Sequence, residues 1–207
     1  MTGARISQFR ADRISAAELN AIIPWWYVLL VAATGAQRLR EVAISTRRER
    51  GLVGRRAAAR SYPLMVVSHV GLFTLPLLET AILRPRRSRT VAAAAITMLV
   101  AATALRWWSM HSLGRWWNVK AVVPDDLEPV QDGPYRYIRH PNYLAVIVEF
   151  VAVPMAAGAW RSMLLLSALN SAVLVDRIGD EERLLERNSV YRNSVGRRAR
   201  FIPGLFQ

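Results

Sequence analysis

Long apolar runs recur along this chain, separated by clusters of arginine. The clearest is Tyr62–Leu83, 22 residues broken only by His69, Pro76 and Glu79. As a helix rising 1.5 Å per residue it would extend about 33 Å, enough to cross a hydrocarbon core of about 30 Å. The same patterning predicts spans over 21–42, 91–108, 143–159 and 162–178, the last two joined by the tight Gly158-Ala159-Trp160-Arg161 turn. Within a bilayer every backbone polar group must be satisfied internally, so such runs are helices. The expected fold class is therefore all-α: one polytopic integral membrane domain of about five transmembrane helices, the last two forming an antiparallel hairpin. A charged C-terminal helix, Asp180 to about Asn188, is expected after it.

The chain carries 28 Lys+Arg against 15 Asp+Glu, a net charge of +13. In a soluble protein that imbalance would point to nucleic acid, but no nucleic-acid fingerprint is present and the cations lie between apolar runs. They belong instead beside anionic lipid. With five spans, 18 Lys/Arg fall on the side of the basic loop 37–61, the loop 109–142 and the tail, against 8 on the other. The positive-inside rule then turns 109–142 and the tail to the cytoplasm of a bacterial plasma membrane. The four arginines in 84–90 run against that count and fit better if one early segment does not cross. Residues 1–19, with Arg5, Arg10 and Arg13 among Ile6, Phe9 and Ile14, predict a helix lying on the membrane surface. Pro24-Trp25-Trp26-Tyr27 reads as an aromatic belt at the head of a retained span rather than a signal peptide. The absence of cysteine excludes disulfides and thiolate chemistry, and three scattered histidines argue against a metal site.

Gly133-Pro134-Tyr135-Arg136-Tyr137-Ile138-Arg139-His140-Pro141-Asn142-Tyr143 departs from this pattern. Its prolines fix their own φ and bias the preceding residues away from helix, predicting an irregular, semi-rigid loop at the membrane boundary. Such a segment is either an interfacial anchor or a ligand site, and polar residues within the following spans favour the site. Glu149 stands alone in an apolar run, as a buried base or as a hydrogen-bond partner of a neighbouring helix. Asn170, Arg177 and Glu181 are spaced to share one helical face. His69 and Glu79 fall within about 80° of each other on theirs, as acceptor contacts or as helix–helix glue. These residues describe a pocket between the last two spans, walled by aromatics and arginines, suited to a cationic, aromatic ligand bearing a carboxylate.

Gly133-Pro134-Tyr135, Arg139-His140-Pro141-Asn142-Tyr143, Glu181-Glu182 with Leu185, and Arg200-Phe201-Ile202-Pro203 resemble the isoprenylcysteine carboxyl methyltransferase family, integral-membrane enzymes that use S-adenosylmethionine. The first half resembles the bacterial alkylresorcinol and alkylpyrone O-methyltransferase branch through Gln37-Arg38-Leu39-Arg40-Glu41, Tyr62-Pro63, His69, Glu79 and Leu113-Gly114-Arg115-Trp116-Trp117. The resemblance implies N-terminal helices over 1–104 and a cofactor-binding catalytic half over 105–207. It implies a cofactor site of Tyr135, His140, Pro141, Tyr143, Leu144, Glu181 and Glu182, and a lipid acceptor arriving sideways from the bilayer. His69, Glu79 and Asn170 are the expected acceptor contacts. Where prenylcysteine enzymes carry Gly soon after His-Pro-x-Tyr this chain has Leu144-Ala145, and where they carry Phe-Gly-x-x-Tyr it has Arg187-Asn188-Ser189-Val190-Tyr191. Both differences point away from a prenylcysteine substrate.

Methyl transfer from a sulfonium is an in-line displacement that depends mainly on positioning. A carboxylate acceptor needs no base, whereas a phenol with a pKa near ~10 benefits from one. Glu149 is expected as that base, with Arg139 and His140 as electrostatic or positioning groups. The competing classes are carboxyl methylation of an isoprenylcysteine-like substrate, phospholipid N-methylation, and a membrane protein without enzymatic activity.

Overall fold

The computed structural model describes residues 22–57, 60–124 and 127–202. The expected surface helix over 1–19 lies outside them. Five long helices follow in order: α1 (Trp25–Glu49), α2 (Tyr62–Leu83), α3 (Arg89–Leu113), α4 (Pro141–Ala156) and α5 (Trp160–Leu185). The chain is mainly helical, as expected, with one addition, a two-stranded antiparallel ribbon of β1 (Gly54–Arg56) and β2 (Val122–Pro124). Gly54 faces Pro124 across it, and a Cβ there would lie 2.4 Å from the Val123 carbonyl oxygen, so only glycine fits.

α2, α3 and α5 are long and apolar enough to cross a membrane. α1 and α4 are the two exceptions among the five expected spans. α4 has only 16 residues, about 24 Å of helix. It is buried on nearly every side, from Tyr143 through Phe150 to Ala156, and packs chiefly against α3 and α5. A helix that is apolar all round belongs inside a bundle, and α4 is its centre. α3 can approach it closely because its buried stripe, Ala95, Leu99, Ala102, Arg106 and Ser109, is rich in small residues. Large apolar side chains of α2, α3 and α5 such as Val67, Ile82, Val100, Leu165 and Val175 face outward. That inverts the soluble pattern and suits contact with lipid.

α1 runs to Glu49, seven residues past the expected end at 42, so much of the predicted basic loop 37–61 is helix. Its buried residues Tyr27, Val31, Thr34, Arg38, Glu41 and Ser45 fall every three or four positions, the spacing of one helical face. The face starts apolar and ends charged. α5 likewise continues without a break to Leu185, so the predicted charged tail helix is its own last turns, followed by the short α6 (Ser189–Asn193). The α4–α5 turn contains Gly158 with φ 76°, where a Cβ would come 3.0 Å from the Arg86 carbonyl oxygen.

Candidate functional site

The 133–143 segment is more ordered than a loop. A 3-10 turn over Gly133–Arg136 leads to a parallel bridge between Ile138 and Ala199, and Pro141 then opens α4 in its first turn, where a missing N–H costs nothing. The amides of Arg139 and His140 donate to the carbonyls of Ala199 and Arg200, at 2.9 and 3.1 Å, which clips the C-terminal segment against the start of α4. Side chains close the same junction. Glu182 of α5 accepts from His140 Nε2 at 2.9 Å, from Arg139 Nη1 at 3.1 Å and from Arg200 Nη2 at 2.7 Å. One carboxylate thus faces two permanent guanidinium cations and an imidazole, leaving surplus positive charge at this end. Burial pushes the nearby Tyr135 and Tyr191 phenols up, so both stay neutral through the physiological range.

One turn inward, the Tyr143 hydroxyl donates to Glu181 and accepts from Arg177 Nε at 2.9 Å. Arg177 also donates to the Val119 carbonyl and contacts Met65 Sδ at 3.3 Å. The Met65 carbonyl in turn lies 2.8 Å from His69 Nδ1. A carbonyl oxygen only accepts, so Nδ1 carries the proton and the neutral ring keeps its lone pair on Nε2. The ring is packed edge-to-face on Phe150, with centroids 5.1 Å apart.

The third cluster is a buried ionic quartet. Arg38 reaches both Glu41 and Glu149, and Arg106 Nε donates to Glu41 Oε2 at 2.8 Å. All four residues are less than 9% exposed, and they bind α1, α3 and α4 together. The quartet is neutral. Sequence reading treated Glu149 as a lone acid, but that premise does not hold: the guanidinium of Arg38, from a helix far away in sequence, is its partner.

These clusters surround one cavity of about 730 Å³, within the range of small-molecule sites. α1, α2, α4 and α5 form its walls, and the Trp117–Pro124 segment with the region around Tyr191 covers it. That cover is tied down where Val119 N donates to Ser45 Oγ and Lys120 pairs with Glu49, both on α1. Of the residues expected at the site, Tyr135, Arg139, His140, Tyr143, Asn170 and Glu181 line the cavity, as does His69. Glu182 braces it from behind. Pro141 and Leu144 shape the start of α4 without lining the cavity, and Glu149 touches it only through Arg38.

Glu79 sits elsewhere. Its carboxylate accepts from the amides of Arg161 and Ser162 and from the Ser162 hydroxyl, at 3.2, 2.6 and 2.6 Å, which makes it the N-terminal cap of α5. The angular relation to His69 was a correct property of the helix, but ten residues, about 15 Å, separate the pair along the axis, so they meet different surroundings. Sequence reasoning assigned no site role to Arg38, Glu41, Arg106, Asn142, Tyr191 or Arg200. The α1 periodicity carried a signal for the first two, which fall in register with Tyr27 and Val31. Asn142, Asn170 and Tyr191 line the cavity, and their Oδ1, Oδ1 and hydroxyl oxygen atoms are buried with no partner among the described residues.

The profile of the isoprenylcysteine carboxyl methyltransferase family matches residues 95–187, which covers α4, α5 and most of α3. The uncharacterized protein YpbQ of Bacillus subtilis is 31% identical over 165 residues, 78% of this chain and 98% of its own. An uncharacterized protein of Haemophilus influenzae is 24% identical over 151 residues, 71% of this chain and 87% of its own.

Proposed function

The chain belongs to the isoprenylcysteine carboxyl methyltransferase family, and on that premise we propose that it is an S-adenosylmethionine-dependent O-methyltransferase of lipid acceptors. The favoured acceptor is the phenolic or enolic hydroxyl of a long-chain alkylresorcinol or alkylpyrone. With three helices, among the described residues, long and apolar enough to cross a membrane, it is an integral membrane protein of a methyltransferase family. The active site is assigned to the cytoplasmic face, on the excess of cations flanking it.

The observation that carries this reading is the division of one cavity into a cationic end and a neutral, ion-paired end. The residues of the cationic end fit the proposed cofactor. The surplus guanidinium charge around Glu182 would hold the carboxylate of its amino-acid portion. Glu181 and the unpartnered Asn142 Oδ1 and Asn170 Oδ1 would accept from its ammonium, hydroxyl or amine groups, and the unpartnered Tyr191 hydroxyl provides one more polar contact. When bound, the cofactor supplies a methyl group on a sulfonium that leaves as a neutral thioether. Arg139, His140 and Glu182 would orient it, and Tyr143, held between Arg177 and Glu181, would form a fixed wall beside it. The acceptor would occupy the end lined by α1 and α2, whose apolar faces, including Val31, Leu39, Val42 and Val66, continue from the cavity toward lipid. The test is labelled-methyl transfer in detergent, offering an alkylresorcinol beside a prenylcysteine. Transfer to the resorcinol is expected. Transfer only to the prenylcysteine would reverse the acceptor assignment, and failure to bind S-adenosylhomocysteine would end the methyltransferase reading.

A further inference from the structure

Taking the proposed methyltransferase activity as its basis, we infer that His69 is the general base of the reaction and that the acceptor enters as a neutral hydroxyl group. Geometry gives the first half. The Met65 carbonyl occupies Nδ1, which leaves Nε2 as a lone-pair acceptor with no partner among the described residues, on a side chain that lines the cavity. His69 lies seven residues into α2, about 10 Å along the helix from Tyr62, so it meets a group buried in the membrane rather than one at the surface. It is also next to the cofactor end. Met65 touches both His69 and Arg177, and Arg177 holds Tyr143.

Charge balance gives the second half. The carboxylates near His69 are already spoken for: Glu41, which lines the cavity, is bound by Arg38 and Arg106, and Glu149, behind the wall, by Arg38. A carboxylate engaged by guanidinium is a poor proton acceptor, and Glu181 is held by the Tyr143 hydroxyl at the cofactor end, which leaves the imidazole as the base beside the acceptor. The same pairing leaves the quartet with no net cation for a carboxylate acceptor to pair with, whereas a neutral phenol or enol needs none.

The step balances without any further reactant. The acceptor O–H bond breaks and its proton passes to His69 Nε2. The oxygen electron pair forms a C–O bond to the methyl carbon while the C–S bond breaks, its electrons remaining on the sulfonium sulfur. The imidazolium then returns its proton to water.

The experiment uses full-length protein in detergent with alkylresorcinols of graded acidity. Loss of a positioned base costs 10²–10⁴-fold. His69→Gln and His69→Ala should therefore lower kcat by about 10²-fold or more, with S-adenosylhomocysteine affinity unchanged. The deficit should shrink for more acidic, ring-fluorinated phenols, and added imidazole should restore part of the His69→Ala rate. A deficit equal for all phenols, or none, would overturn the base assignment. Histidine nitrogen NMR of the wild type needs no variant: Nε2 unprotonated in the free protein and shifted by the acceptor supports the inference, and Nε2 protonated there defeats it. A wild type that methylates prenylcysteine but no phenol would instead show that the parent reading had failed.

Discussion

Replacing Glu79 by alanine separates two roles for a carboxylate set part-way along an apolar helix. The structure makes it a cap: it accepts two backbone N–H bonds and one hydroxyl bond from the first residues of α5. Losing a side-chain cap costs about 1 kcal/mol, and bonds to a charged acceptor carry about 1.5–3 kcal/mol each when well shielded. Glu79 is partly exposed, which discounts the larger figures, so a loss of about 2 kcal/mol is expected. For a chain of this length that corresponds to a fall in Tm of about 4–8 °C. Glu79→Gln, which keeps a carbonyl acceptor, should lose roughly half as much. The assay is intrinsic-fluorescence melting in detergent at one scan rate, alongside KM for the lipid acceptor. An unchanged Tm with a raised KM would refute the capping argument and return Glu79 to acceptor binding.

Two other substitutions probe the buried charges. Glu149→Leu leaves Arg38 facing Glu41 alone and should cost about 3–5 kcal/mol, whereas the Arg38→Leu/Glu149→Leu pair should cost clearly less than the sum of its singles; a thermal-melt double-mutant cycle reads the coupling. Additive losses would show that the pair is not linked. Glu182→Gln weakens the hold on Arg139, His140 and Arg200 by about 1.5–3 kcal/mol, so the S-adenosylhomocysteine Kd measured by calorimetry should rise about 10- to 100-fold. An unchanged Kd would remove that junction from the cofactor site.

The motif residues were legible because proline, glycine and clustered polar groups at a membrane boundary are rare and locally interpretable. Asn170, Arg177 and Glu181 do face one cavity, which follows from helical spacing alone. The reading of 37–61 as a loop failed where charge was taken as evidence against helix. α1 keeps its 3.6-residue register straight through Arg38 and Glu41, because their partners are other helices rather than water.

Hydropathy along the chain was enough to mark the long helices and those apolar enough to cross a membrane, and to set the 133–143 segment apart from them, since a bilayer selects for local composition and length. The pairing of each buried ion was decided only in three dimensions. Arg38 and Glu149 lie 111 residues apart, and nothing in either neighbourhood names the other. The same holds for the split between His69 and Glu79, where one helix presents both residues but only the packing of α1, α4 and α5 around it turns one toward a cavity and the other into a cap. Desolvation makes an unpaired charge intolerable anywhere in such a bundle, so the sequence states that each must be satisfied while the fold alone chooses by whom.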